Sequence, residues 1–427
     1  MQISVYGDTL CAQVTATALA QTGHDVYWYV TDMGAWNALE QGAAIYKEPG
    51  LRFLLEEQRR SGRLRYRLYE ESKRLNDSRV VFLAVQPGKV SLLESIVAHH
   101  AAMPAFELAV IQTVCAVGTS ERLRDELVDS GSRAELAVMP DMTQAGRAYD
   151  TFTRPDCILI GHENEEARVL LCEIMRPYVR TRDTFRHMSL REAEFARLAS
   201  SGILATRISF MNEMAQLAER VDVDISVIRE ALAADSRIGS AYLYPGCGFG
   251  GPGLSGDVMS LVDTLQGYDA HAGLLEQVLA INERQKEVLF RKFWQYYGGN
   301  VVGKRVVIWG ASFKPGTHRV ENSPALKVIE ALWAQGVQVA VHDPLALPEL
   351  SRWADGRGDL ELYKDQYMAA ADADALMLFT EWKQYWSPEW ARLRGELREP
   401  LILDGRNIYD PIFVRSQGFQ YKGVGRI

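Results

Sequence analysis

The sequence predicts an α/β protein: two Rossmann-like, doubly wound parallel-sheet domains joined by a central helical region. Three observations carry this. The first is the opening. Ile3 to Tyr6 is a short apolar strand, Gly7 turns the chain, Leu10 to Thr22 reads as a helix ending at Gly23, and Asp25 to Val30 is a second strand. That is a βαβ unit, the start of a doubly wound sheet. The second is a repeat of the pattern from Lys304. Arg305 to Trp309 is a strand, a loop runs over 310–322, and Ser323-Pro324 begins a helix with proline in its first turn. Val337 to Val341 follows and ends in His342-Asp343-Pro344. The third is the helical periodicity between the two, starting at Ser189.

The other elements fit this frame. Val80 to Val85 reads as a buried strand closed by Gln86-Pro87, and Ala109 to Val114 as another. Glu135 to Met139 runs into Pro140-Asp141, and Cys157 to Ile160 is stopped by Gly161. From Ser189 to Arg220, Phe195, Leu198, Ile203, Ile208, Met211 and Leu217 mark apolar helix faces. A glycine-rich loop at 245–257 interrupts the helices, and Leu274 to Tyr297 reads as a second long one. Ala375 to Phe379 and Leu401 to Leu403 supply later strands. The expected domains are 1–188, 189–298 and 299–427, with a homodimer surface on the middle helices.

Composition narrows the function. A net charge of −8 with dispersed basic residues argues against nucleic-acid binding. No apolar run is long enough for a bilayer, and the N-terminus lacks a signal-peptide pattern. The five cysteines (Cys11, Cys115, Cys157, Cys172, Cys247) are scattered and lack metal-ligand spacing. They read as reduced thiols of a cytoplasmic protein.

The most specific segment is Tyr244 to Asp257, with Gly248-Phe249-Gly250-Gly251 at its centre. It resembles the active-site loop of the UDP-glucose/GDP-mannose dehydrogenase family, G-x-G-F-G-G-S-C-x-x-K-D. Further segments resemble the same family in the same order. They are Glu48-Pro49-Gly50-Leu51, Gly62-Arg63-Leu64, Thr113 to Thr119, Ala205 to Glu213, Gly310 to Pro315 with Ser323-Pro324, Thr380-Glu381-Trp382 and Asp404 to Tyr409. The similarity spans nearly the whole chain.

The resemblance implies oxidation of a sugar C6 alcohol to a carboxylate with two NAD⁺, through a cysteine-bound thiohemiacetal and thioester. Such chemistry needs a thiolate, a base with ordered water, and donors facing the oxyanion. Here the cysteine slot holds Gly253 and the lysine slot Gly256. The lysine facing the oxyanion aligns with Arg197, the asparagine one turn later with Ser201, and the water-orienting threonine with Val114. The acidic P-E-F-L-x-E becomes Pro140 to Ala145, which keeps a shorter carboxylate at Asp141 and none at Ala145. Asp257 alone is unchanged. Cys247 is the nearby thiol, but it lies on the far side of the glycine turn.

The cofactor signature is reduced as well. Where G-x-G-x-x-G lets a pyrophosphate approach the backbone, the chain has Gly7-Asp8-Thr9-Leu10-Cys11-Ala12. The ribose-gripping acid aligns with Val30. Asp32, two positions on and on the same strand face if the strand continues, is the candidate substitute. The family's arginine beyond F-K-P aligns with Glu321. NAD is therefore the expected cofactor of the family, with weak or absent binding expected here. The sugar-nucleotide side is better kept: Asn212, Lys314 and Arg406 match family positions, Gly248, Gly250 and Gly251 suit close backbone approach to a ligand, and Tyr242 suits stacking or hydrogen bonding at the nucleotide. Two readings follow. One is a catalytically inactive homologue that keeps affinity for a UDP- or GDP-linked sugar, in a binding, regulatory or partner role. The alternative is an active 6-dehydrogenase with rearranged catalytic residues.

Overall fold

The structure, a computed structural model, describes residues 1–70, 78–179 and 184–426. The first sheet contains β1 (Gln2–Tyr6), β2 (Asp25–Val30), β3 (Leu64–Leu68), β4 (Val80–Leu83), β5 (Leu108–Ile111), β6 (Glu135–Val138), β7 (Ile158–His162) and β8 (Phe185–Met188). Its strand order is β3-β2-β1-β4-β5-β6-β7-β8. The second contains β9 (Arg305–Trp309), β10 (Gln338–His342), β11 (Leu360–Tyr363), β12 (Ala375–Leu378), β13 (Leu401–Asp404) and β14 (Gln420–Gly423). Its order is β11-β10-β9-β12-β13-β14. Both therefore reverse direction beside their first strand, the doubly wound topology expected from the βαβ openings.

Each sheet is buried on both faces, which is why its central strands read as near-continuous apolar runs. Val5, Val26, Val80, Phe82 and Val110 pack with the helix Leu10–Gln21 on one face. Tyr6, Tyr29, Val81, Leu83 and Ile111 fill the other. In the second sheet Val306, Ile308, Val339 and Met377 face one way, and Val307, Trp309, Leu376 and Leu378 the other. Burying each such side chain contributes about 1.5–3 kcal/mol, which makes these cores the main stabilising term.

The chain divides into two compact units, Met1–Ser200 and Ser201–Ile427, with the division inside the helix Leu190–Arg220. That helix has 31 residues, and Ile203, Phe210 and Leu217, one heptad apart, are 58%, 48% and 53% exposed.

Four expectations need correction. The glycine-rich stretch is not a loop to residue 257, because a helix, Pro252–Gly267, begins at Pro252. Proline suits a first helical position, since its missing N–H has no partner there. The expected helix from Leu274 to Tyr297 is two, Gly273–Gln285 and Val288–Tyr296. β7 runs antiparallel to β6, with Ala137 opposite His162, although β8 is again parallel to β7. An antiparallel neighbour needs no helical crossover, and only the short helix Ala148–Thr153 lies between β6 and β7. Finally, β3, β8, β11 and β14 had no counterpart in the sequence reading. All flank a more central strand, and several carry outward polar residues, as in Leu64-Arg65-Tyr66-Arg67-Leu68.

Candidate functional site

In the first unit the doubly wound topology puts the candidate site in the crevice at the carboxyl ends of β1, β2 and β4. Gly7 sits at φ +125°, and a Cβ there would lie 2.2 Å from the Ala84 carbonyl oxygen. Only glycine permits this approach. Asp8 is buried. Its Oδ1 accepts hydrogen bonds from the Thr31 N–H at 2.7 Å and the Asp32 N–H at 3.2 Å, and its Oδ2 accepts one from the Thr31 hydroxyl. Thr9 caps the helix Leu10–Gln21. Its Oγ1 accepts from the Ala12 N–H at 3.1 Å and donates to the Ala84 carbonyl at 2.6 Å. Val30 is fully buried in the core. Asp32 does not share the β2 face, because the strand ends at Val30. It is the N-cap of the helix Met33–Glu40, accepting from the Ala35 N–H at 2.7 Å.

Further along this unit, Asp141 folds onto its own turn. Its Oδ1 accepts from the Thr143 N–H at 2.8 Å and the Thr143 hydroxyl at 2.6 Å. Arg197 donates from Nε to the Asp141 carbonyl at 2.5 Å. Val114 is half-buried just past β5, and Ala145 is half-buried against the core. Glu194, which the sequence reading passed over, is buried. It accepts from the Gly118 and Ser120 amides at 2.7 and 2.8 Å, at the start of the helix Thr119–Asp129.

In the second unit, Gly253, Gly256 and Asp257 lie on the first turns of the helix Pro252–Gly267. A Cβ on Gly253 or Gly256 would meet nothing within 4 Å. Asp257 is buried and accepts from the Ser201 hydroxyl at 2.7 Å, so the structure joins two of the positions singled out in the sequence. The preceding glycines are tightly held. Gly248 is at φ +86°, with its Cβ position 3.0 Å from Asn282 Oδ1, and Gly251 is at φ +84°, with its Cβ position 2.7 Å from the Phe313 ring. A Cβ on Gly250 would lie 2.5 Å from the Asn322 carbonyl. Asn282 pairs twice with Phe249, and Gln285 donates to the Gly246 carbonyl at 2.7 Å.

Beneath the glycines, buried Lys286 pairs with Glu283 at 2.5 Å and with Asn322, and Asn322 donates to Ser255 at 2.8 Å. Asn212 is fully buried. Its Oδ1 accepts from the Gly246 N–H at 2.9 Å, whereas its Nδ2 has no acceptor among the described residues.

Tyr242 is partly exposed, at φ +60°. Lys314 is half-buried in the loop after β9. Arg406 donates from Nε to the Phe379 carbonyl at 2.6 Å and lies 3.2 Å from Glu381. Glu321 pairs with Arg319 at 3.0 Å. Burial acts to raise its carboxyl, but the hydrogen bond and charge of Arg319 hold it below the usual range. Cys247 is fully buried, and burial pushes its thiol up, away from the reactive thiolate.

Asp343 is the acid that the sequence reading missed. It accepts from the Ala311 and Ser312 amides at 2.9 and 3.0 Å and from the Leu345 and Ala346 amides at 2.9 and 2.8 Å. Its place directly after a strand, in His342-Asp343-Pro344, was the available signal.

Among the described residues, no cluster of His, Cys, Asp or Glu suits a metal ion, and no helix is long and apolar enough to cross a membrane.

Known proteins match the chain over nearly its whole length. Residues 1–179 match the NAD binding domain of the UDP-glucose/GDP-mannose dehydrogenase family, 191–284 its central domain and 307–411 its UDP binding domain. A UDP-glucose 6-dehydrogenase of Pseudomonas aeruginosa is 36% identical, covering 100% of this chain and 98% of its own length. One from Rhizobium meliloti is 31% identical over the full length of both. The solved UDP-glucose dehydrogenase of Pyrobaculum islandicum superposes with a TM-score of 0.89 at 26% identity, covering 100% of this chain and 98% of that one. The chain is a member of the UDP-glucose/GDP-mannose dehydrogenase family.

Proposed function

We propose that this family member binds a nucleotide sugar without oxidising it, in a regulatory or partner role. The observation that carries the reading is Gly253. It stands at the position the family gives its cysteine, and the space around its missing side chain is open. A thiohemiacetal has no sulfur to form on at that point. The other positions are altered or engaged within the protein, Arg197 on the Asp141 carbonyl among them. Asp141 is turned onto Thr143, Asp257 holds Ser201, and the Cys247 thiol is buried. The alternative, an active 6-dehydrogenase with displaced residues, has no exposed thiol near the loop to support it.

Retained affinity is supported by Asn212, whose buried Nδ2 is a donor left for a ligand; an unmade hydrogen bond costs about 1–3 kcal/mol. Lys314 adds positive charge for a diphosphate, beside Arg406, which also pairs with Glu381 at 3.2 Å. Tyr242 offers a partly exposed ring for the nucleotide. NAD does not fit the first unit as it stands: Asp8 and Thr9 lie in the crevice and Val30 offers no ribose acceptor. Its binding is weak or absent in this reading. The exposed stripe Ile203, Phe210 and Leu217 supports a homodimer through the middle helices.

Calorimetry and a coupled NADH assay test this together. UDP-glucose or GDP-mannose binds, Asn212→Ala and Lys314→Ala each weaken binding roughly tenfold, and no NADH forms. Gly253→Cys alone restores no turnover. Two NADH per sugar from the wild-type protein would refute the proposal.

A further inference from the structure

We infer that Asp8 is an internal occupant of the dinucleotide crevice, and that it excludes the cofactor by filling the crevice more than by repelling charge. The inference rests on the reading above only for the family's use of NAD in this domain.

The two sheets provide the geometry. In the first, Tyr6 pairs with Tyr29, which places Gly7 beside Val30; in the second, Trp309 pairs with His342, which places Gly310 beside Asp343. Both glycines donate their N–H to the neighbouring strand, Gly7 to the Tyr29 carbonyl at 3.0 Å and Gly310 to the His342 carbonyl at 2.9 Å. In the second sheet the acid comes from the end of β10, and Asp343 accepts the amides that follow Gly310. In the first sheet that position is Val30, buried in the core. The acid comes instead from the opposite side: Asp8 follows Gly7 and accepts the amides that follow Val30.

The carboxylate thus bridges the same two strand ends in both sheets, with donor and acceptor sides exchanged. In a doubly wound sheet a dinucleotide lies across this bridge, with its pyrophosphate on the first helix's amides and its ribose on an acceptor at the end of the second strand. Here the Thr31 and Asp32 amides already have an acceptor, and Thr9 takes the Ala12 amide at the helix start. A ligand would have to displace three hydrogen bonds to Asp8 before making its own.

The distinction between filling and repulsion is measurable. Asp8→Asn keeps an oxygen acceptor of the same size and removes the charge; Asp8→Gly removes both. Each is made in a Thr9→Gly background, and NAD⁺ is titrated by calorimetry into the full-length protein. Occupancy predicts at least a tenfold higher NAD⁺ affinity for the Asp8→Gly variant than for the Asp8→Asn variant. Equal affinities, whether both rise or neither does, would overturn the inference.

If the variant carrying both glycine substitutions does not fold, amide exchange of the wild-type protein decides. Thr31 and Asp32 should exchange slowly, and Asp8→Asn should retain that protection at Thr31; rapid exchange of both in the wild type overturns the inference. UDP-glucose titrated into the same samples separates the two proposals. If neither it nor GDP-mannose binds the wild-type protein, the proposed function is refuted and the crevice result stands. Micromolar NAD⁺ binding by the wild-type protein would refute the inference about Asp8 while leaving nucleotide-sugar binding intact.

Discussion

The two sheets share one topology around their first strands but handle the functional crevice in opposite ways. Each places a positive-φ glycine after its first strand and presses it against the end of the next parallel neighbour, Gly7 on Ala84 and Gly310 on Thr380. Each then bridges the first two strand ends with one carboxylate. In the second unit that acid, Asp343, also caps the chain that follows it and lies 3.2 Å from the Trp382 indole nitrogen. In the first, Asp8 reaches across to Thr31 and Asp32 and leaves the capping of the next helix to Thr9. Backbone geometry set by close packing thus persists where side-chain chemistry has diverged. A glycine wedged against a neighbouring strand cannot change without moving the sheet, whereas a carboxylate can enter from either strand end.

The largest effects should come from the shared glycines. Gly7→Ala and Gly310→Ala should each destabilise their own unit by roughly 3–5 kcal/mol, because a Cβ would sit 2.2 Å from the Ala84 carbonyl oxygen or 2.4 Å from Thr380 Cβ in a left-handed backbone. Gly256→Ala is the control. Its Cβ meets open space inside a helix, so stability should rise by roughly 0.5–1 kcal/mol. Thermal melts of the three variants rank them, and a benign Gly7→Ala would end the parallel between the sheets.

Next comes the difference between the acids. Asp343→Ala leaves four backbone amides without their acceptor and should cost about 3 kcal/mol, against about 1–2 kcal/mol for Asp8→Ala. Urea unfolding measures both. Equal costs would show that the Asp8 bridge is as integral as that of Asp343.

The smallest effects are those of pH. Burial pushes His100 down to about 3, beside the Tyr6 hydroxyl at 2.9 Å. The unfolded chain takes up that proton first, near pH 6.5. The first unit should therefore lose stability as pH falls from about 6.5 towards 3, and His100→Gln should flatten that loss. In the second unit, burial lowers His342 as well. There, hydrogen bonds from Arg305 and Tyr363 also hold Glu361 at about 2. Its stabilising contribution is present above about pH 4.5 and is lost as pH falls through 2. The pair is exposed enough for solvent to screen it, so Glu361→Gln should shift the acid limb only slightly. Amide exchange followed separately in each unit would show whether the two windows differ.

Several features were legible in the residues alone. Apolar runs bounded by Gly7 and Gly310 located the first strands of both sheets, because a strand buried on both faces leaves a continuous hydrophobic record. The Gly248 to Asp257 signature pointed to the family, which the comparisons bear out, and the same signature is what proposes Gly253 for the cysteine position. Tertiary structure decided the rest, for a common reason: the deciding partner is distant in the chain or unmarked in composition. Leu64–Leu68 is a strand because Val26–Val30 offers it a ladder, and its own alternating arginines hide that. Gly253 and Gly256 are helical because Pro252 starts a helix that the glycines obscure. Local charge could only count Asp8, Asp32, Asp141 and Asp257 as four acids. Their hydrogen bonds, to Thr31, Ala35, Thr143 and Ser201, follow from where the folded backbone presents its donors.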